Sequence, residues 1–194
     1  MLSRTFGALA AAALALPVAT QAADFDYSFV DLALLPHVQV EAGNDDIDGD
    51  GFQLRGSLAV SSNFFVLAQL QDFDLDHGVD VTRWMVGGGG HWPLNNTVDL
   101  VASVGVVRLN VDVGRFDDHD TGVFLGGRVR AQVAPRFELE GGVEYISAEV
   151  GDAGDDVYLV GEGRYHFNDQ FSVGALLNFS SDVETLGVYG RYSF

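Results

Sequence analysis

The stretch Phe137-Glu138-Leu139-Glu140-Gly141-Gly142-Val143-Glu144-Tyr145-Ile146 decides how the chain is read. Alternate positions sort by chemistry. Phe137, Leu139, Gly141, Val143 and Tyr145 form one set, and Glu138, Glu140, Gly142, Glu144 and Ile146 form the other. In an extended strand residues i, i+2 and i+4 share a face, so this segment has an apolar face and an acidic one. A helical stripe does not fit the same positions. The preceding segment repeats the pattern with the opposite charge: Val123, Leu125, Gly127, Val129, Ala131 and Val133 alternate with Arg128, Arg130 and Gln132. Ala134-Pro135-Arg136 between them has the chemistry of a short turn. The two segments read as a hairpin whose arginines and glutamates face the same side.

Period two continues in both directions. Phe52, Leu54, Gly56, Leu58 and Val60 oppose Gln53, Arg55, Ser57 and Ala59. Leu186, Val188, Gly190, Tyr192 and Phe194 oppose Tyr189, Arg191 and Ser193. Ten such segments are expected, at 27–36, 51–61, 64–72, 80–92, 97–109, 121–133, 137–148, 156–167, 171–180 and 184–194. The segment at 97–109 is the least regular, because Val101 and Val107 fall on its nominally polar face. Short turns (61–63, 93–96, 134–136, 168–170) alternate with mostly longer, aspartate-loaded connections at 37–50, 73–79, 110–120, 149–155 and 181–183. Aromatics flank the short turns: Phe64 or Phe65, Trp92, Phe137, Phe167 and Phe171. Short turns on one side, longer loops on the other and an aromatic girdle describe an all-β, antiparallel, up-and-down transmembrane β-barrel. The count is about ten strands, with eight possible if two segments are loop hairpins.

The distribution of charge separates this reading from a soluble barrel, which is apolar inside. Here the apolar faces carry no Asp, Glu or Arg. The opposite faces carry Arg55, Arg83, Arg128, Arg130, Arg164 and Arg191 together with Asp31, Asp99, Glu138, Glu140, Glu144 and Glu162. Six of each sign are therefore expected in the lumen as a compensated polar network. An unpaired buried ion is strongly destabilising, and the guanidinium fork suits bidentate carboxylate pairing. Such long side chains across a narrow bore would block free diffusion.

Composition bounds the rest. The chain has 194 residues, 10 Lys+Arg, all of them arginine, 28 Asp+Glu and a formal charge of −18. That balance argues against nucleic acid, whose phosphates need clustered cations. Cysteine is absent, which removes disulfides, thiolate metal sites and a catalytic thiol. Residues 1–22 read as a signal peptide: Arg4, an apolar run from Phe6 to Ala19, then small residues up to Ala22. Residues 23–194 are then the barrel domain, exported to the outer membrane.

The chain ends Val188-Tyr189-Gly190-Arg191-Tyr192-Ser193-Phe194. A terminal aromatic with a tyrosine two residues before it resembles the last strand of bacterial outer-membrane proteins. With the signal peptide and the strand pattern, the mature chain resembles a small outer-membrane β-barrel of the OmpA-barrel/OmpX-like superfamily. The resemblance implies that Tyr192 and Phe194 are an assembly signal. The partners it implies are the barrel-assembly machinery, periplasmic chaperones, outer-membrane lipid and lipopolysaccharide. A monomer is expected.

Other constellations are weaker. Asp46-Ile47-Asp48-Gly49-Asp50-Gly51 matches the first half of a calcium loop, but the twelfth position is Ser57 instead of glutamate. The acidic loops make divalent cations a candidate partner, without a defined metal site. His37, His77 and His119 fall in three loops with no nucleophile motif beside them. No catalytic residue, cofactor or metal ligand is assigned. The expected role is structural or surface-interactive: membrane integrity, adhesion or stress adaptation. A narrow channel for small solutes and a surface-exposed enzyme are the alternatives.

Overall fold

The computed structural model describes residues 25–42, 45–76, 78–114, 116–148 and 155–194. The segment read as a signal peptide, 1–22, lies outside them. Among the described residues the chain forms ten strands and no helix. They are β1 (Phe29–Ala42), β2 (Asp45–Ala59), β3 (Phe64–Leu75), β4 (Val79–Asn95), β5 (Val98–Val113), β6 (Phe116–Ala134), β7 (Phe137–Ser147), β8 (Asp156–His166), β9 (Phe171–Phe179) and β10 (Val183–Ser193). Each strand pairs antiparallel with the next. β1 also pairs with β10, from Phe29↔Ser193 to Val40↔Val183, and the sheet closes. Closure removes the unpaired edge that an open sheet would present. Ten strands form the wall, and the eight-strand alternative does not hold.

Three of the five acid-rich connections are shorter than the sequence suggests, and most of a fourth, 149–155, lies outside the described residues. The expected loops at 37–50, 73–79 and 110–120 are mostly strand: β1 runs to Ala42, β2 starts at Asp45, β3 reaches Leu75, and β5 and β6 turn between Val113 and Phe116. Asp and Gly disfavour strands, but the apolar alternation persists through them in Val38, Val40, Ile47, Phe73, Leu75, Val79 and Val81, and pairing overrides propensity. The tips are tight turns in which Gly78 and Gly114 take φ of 72° and 63°, a conformation that favours glycine. Residues 46–51 of the calcium-like pattern are part of β2. Asp46, Asp48 and Asp50 therefore project from one outer face, and no loop wraps an ion. A bulge lies between Leu35 and Val38, where Pro36 has no N–H to offer the ladder.

Both described chain ends lie at one rim, called here the near end, where the Phe194 N–H donates to the Ser28 carbonyl at 3.0 Å. Above that rim the outer face is an apolar belt. Val30, Leu32, Leu58, Val86, Val104, Leu125, Val143, Leu159, Val173 and Val188 all stand exposed on it. Phe64, Trp92, Phe137, Phe167 and Phe171 are exposed beside the near-end turns. Tyr165, Tyr192 and Phe194 join them, with Tyr165 and Phe167 edge to face at 5.3 Å. Phe65, the alternative to Phe64, points inward.

The interior holds three apolar clusters. Tyr27, Phe65 and Val101 lie at the near end. Met85, Val107, Phe124 and Ile146 pack in the middle. At the far end Ala33, Leu35, Val38, Phe73, Leu75, Leu176 and Tyr189 form a lid, with Val40, Ile47, Val79 and Val81 against it. Val101 and Val107, irregular in the sequence, are thus core residues. Gly87 and Gly89 leave room for rings: a Cβ at Gly87 would sit 2.8 Å from Phe124 Cζ, and one at Gly89 2.4 Å from Phe65 Cζ.

Candidate functional site: the luminal charge network

Register places opposite charges side by side. Asp31 on β1 lies directly opposite both Arg55 on β2 and Arg191 on β10. It accepts from Arg191 Nε and Nη2 at 2.6 and 2.7 Å, and from Arg55 Nη2 at 2.6 Å. Such forked, charge-assisted bonds are the stronger kind. Asp31 is wholly buried. Arg55 then reaches across the lumen, donating Nη1 to Glu162 Oε1 on β8 at 2.6 Å. Glu162 also accepts from Arg164 Nη2 at 3.3 Å and from the Tyr189 hydroxyl at 3.0 Å. Glu138, paired in register with Arg164, accepts from Arg164 Nη1 at 2.7 Å and Arg130 Nε at 2.5 Å. Arg128 donates to Glu140 at 3.2 Å and to Glu144 at 2.9 Å, and its Nη1 lies 3.7 Å from Glu162.

Ten of the twelve charged lumen residues therefore form one connected network. Arg83 and Asp99 find other partners; Asp99 lies opposite Arg130 in register, but the Arg130 guanidinium turns to Glu138 and the Asp26 carbonyl. Arg83 donates Nε to Gln71 Oε1 at 2.6 Å and lies over the Phe73 and Tyr158 rings. Asp99 Oδ2 accepts from the Tyr27 hydroxyl at 2.9 Å and is 3.0 Å from His91 Nδ1. A count of charges says nothing of which carboxylate each guanidinium turns to, so an equal tally did not ensure that all twelve would meet.

The network and the far-end lid fill the bore. Between the side chains lie cavities of about 70 Å³ and about 20 Å³. The remaining candidates do not gather into a site. His37 on β1 and His119 on β6 are five strands apart in either direction round the ring, so they sit on opposite sides of the barrel. His77 lies outside the described residues.

No protein-family model and no curated protein matches the chain. Solved structures do. The β-domain of the Bordetella autotransporter BrkA matches with a TM-score of 0.51 and 13% identity, over 86% of this chain and 99% of that one. The NanC porin matches with a TM-score of 0.50 and 8% identity, over 85% of this chain and 100% of that one. Identities this low speak to the fold alone. The chain has the fold of a small outer-membrane β-barrel.

Within this outer-membrane-type barrel the network also recruits uncharged groups and a histidine. Tyr189 bridges Glu162 and Arg164, whose Nε donates to the tyrosine oxygen at 3.0 Å. His166 Nε2 lies 3.2 Å from Glu138. Gln71 Nε2 donates to Gln53 Oε1 at 2.9 Å and carries the polar layer to Arg83. Tyr189, His166 and Gln53 share the period-two face of a named charge, whereas Gln71 lies on β3, which carries none. Neutral polar residues on that face were the signal available. Tyr27 opens the expected segment 27–36 on the face of Asp31, although the strand itself starts at Phe29. Its ring stacks on His91 at 3.9 Å and on Phe65 at 5.3 Å.

Proposed function

We propose that the protein is a monomeric outer-membrane barrel with a structural and surface-interaction role, such as membrane integrity, adhesion or stress adaptation. The observation that carries this is the inversion of polarity at belt level, with apolar side chains outward and paired charges inward. A lipid-facing wall needs that arrangement, and a soluble barrel needs the reverse. On this reading residues 1–22 direct export and the near end faces the periplasm. Tyr192 and Phe194, exposed on the outer face of the last strand, are offered to the assembly machinery and its chaperones. The far end, with its outward aspartates, stands at the level of lipopolysaccharide phosphates, where divalent cations would be shared between the two.

The channel reading is the rival, and one of the similar structures is titled a porin. The Arg55–Glu162 bridge across the bore and the apolar lid above it argue against carrying that activity over. His37 and His119, which stand on opposite walls, lend an enzymatic role no support. Planar-bilayer recording of the refolded protein tests the choice. No unitary conductance is expected, and stable ohmic steps would replace this reading with a channel. Recovery of natively expressed protein in the soluble periplasm would end the membrane assignment.

A further inference from the structure

Below the cross-lumen bridge, towards the near end, lies the cavity of about 70 Å³. On this measure a water needs roughly 10–15 Å³, so the space exceeds one water. One wall is apolar, built from Phe65, Met85 and Phe124. The other is cationic: Arg55, Arg128, Arg130 and Arg191 all reach the cavity, against Glu140 and Glu144. Both of those carboxylates are already bonded to Arg128. Ser57 also lines the cavity. It is 7% exposed, and its Oγ has no hydrogen-bond partner among the described residues. A buried hydroxyl without a partner costs about 1–3 kcal/mol, so this position calls for a group to bond.

A second space of about 940 Å³ opens at the near end, with His91, Arg136 and His166 in its lining. Tyr27, Arg130 and Arg191 border both spaces, which makes the Tyr27 ring the partition. Residues 25–28 belong to no strand. Ser28 is tied to the rim, its carbonyl accepting from the Phe194 N–H at 3.0 Å, but residues 25–27 are held by side-chain contacts: Tyr27 to Asp99 and His91, and Arg130, which donates Nη1 to the Asp26 carbonyl at 2.9 Å and lies 4.9 Å from the Phe25 and Tyr27 ring centres. Such a strap can leave without breaking the barrel ladder.

We infer that the inner cavity is a binding site for a small monovalent anion, of halide to acetate size, reached from the near end and closed by Tyr27. The donors are the Ser57 hydroxyl and four guanidiniums that also hold carboxylates of the network, while Glu140 and Glu144 are turned to Arg128. The apolar wall lowers the local dielectric, which strengthens each charge-assisted bond. Only the statement that this mouth faces the periplasm rests on the proposed location. The binding chemistry stands without it and is tested in detergent.

The chain has no cysteine, so Ser57→Cys places a single thiol in the cavity. Its rate of modification is measured with a negatively charged and a positively charged methanethiosulfonate reagent of similar size. Adding Tyr27→Ala should speed the anionic reagent by about tenfold or more, as for a site whose open state is a minor population. The cationic reagent should gain less, and iodide should slow the reaction. Equal rates with and without Tyr27 would overturn the lid, and preference for the cationic reagent would overturn the anion. Retained fast mobility of unboiled protein on a gel confirms that each variant is folded. Should Tyr27→Ala fail that check, Asp99→Asn, which weakens the hold on the strap without emptying it, should give a smaller acceleration in the same direction. Bromide soaked into crystals of the unmodified chain should scatter within hydrogen-bond distance of Ser57 Oγ. Water alone at that position would remove the anion site.

Discussion

On β3 the outward residues run Phe64, Val66, Ala68 and Leu70, then Asp72 and Asp74. The inward residues run Phe65, Leu67, Gln69 and Gln71, then Phe73 and Leu75. The strand keeps one period along its whole length, yet the polarity of its outer face reverses between Leu70 and Asp72. β2 does the same, from outward Leu54 and Phe52 to Asp50 and Asp48, and from inward Arg55 and Gln53 to Ile47. On the proposed outer-membrane reading, the wall at belt level separates hydrocarbon from a charged lumen. At the far end it separates water from an apolar lid. On that reading one continuous barrel serves two solvents, and the change of solvent is written in side chains while the backbone ladder runs through it. The far end accepts what the belt could not. Asp50, Asp74, Asp80 and Asp112 are successive register partners across four strands. Like charges directly opposite destabilise a sheet, tolerably in water and severely in lipid.

The largest effect that would break this comparison lies inside the belt. Arg164 is 1% exposed and bonds Glu138, Glu162 and Tyr189. Arg164→Leu should cost about 3–5 kcal/mol, since it strands buried carboxylates. The check is reversible urea unfolding in lipid vesicles. A loss under about 1 kcal/mol, the value of an exposed pair, would mean that the network is solvated and not structural.

A sharper test puts the same residue on the outer face at two heights. Val143→Arg, in the belt, should lose about 2–4 kcal/mol if it lies near the bilayer midplane. Asp74→Arg, at the far end, should be neutral or gain up to about 1 kcal/mol by breaking the row of aspartates. The gain should shrink with salt, which screens exposed charges. Equal penalties at the two sites would erase the proposed water–lipid boundary.

Removal of Phe194 acts on a different step. Outer-membrane levels in cells should fall several-fold, while protein refolded in detergent should keep its unfolding midpoint. Normal cellular levels would take away the assembly role.

The smallest expected effect is ionic. Millimolar Mg²⁺ should raise the stability of the native chain by a few tenths of a kcal/mol. The double change Asp74→Asn and Asp80→Asn should abolish that response, as for screening of exposed like charges. An unchanged response would place the cation elsewhere.

The residues alone determined much of this protein. Alternation at Phe137–Ile146 and in nine further segments set the strands, their faces and the antiparallel order, because side chains of a strand must alternate whatever surrounds it. The same alternation placed Arg128, Arg130, Glu138, Glu140 and Glu144 on one side, since hairpin neighbours share their faces. It could not set height. Nothing local distinguishes an aspartate in a loop from one on a strand that has left the membrane, so the hairpins at 37–50, 73–79 and 110–120 became legible only through pairing. Nor could it choose a face where both are apolar, as at Val101, Val107, Phe65 and Leu67. Which charges meet across the bore depends on closing ten strands at a particular stagger. That closure gives Arg55 to Glu162, leaves Arg83 to Gln71 and two rings, and hands Asp99 to Tyr27 and His91. Contacts along a strand follow from covalent geometry and a period of two, whereas contacts across a lumen exist only once the sheet has closed.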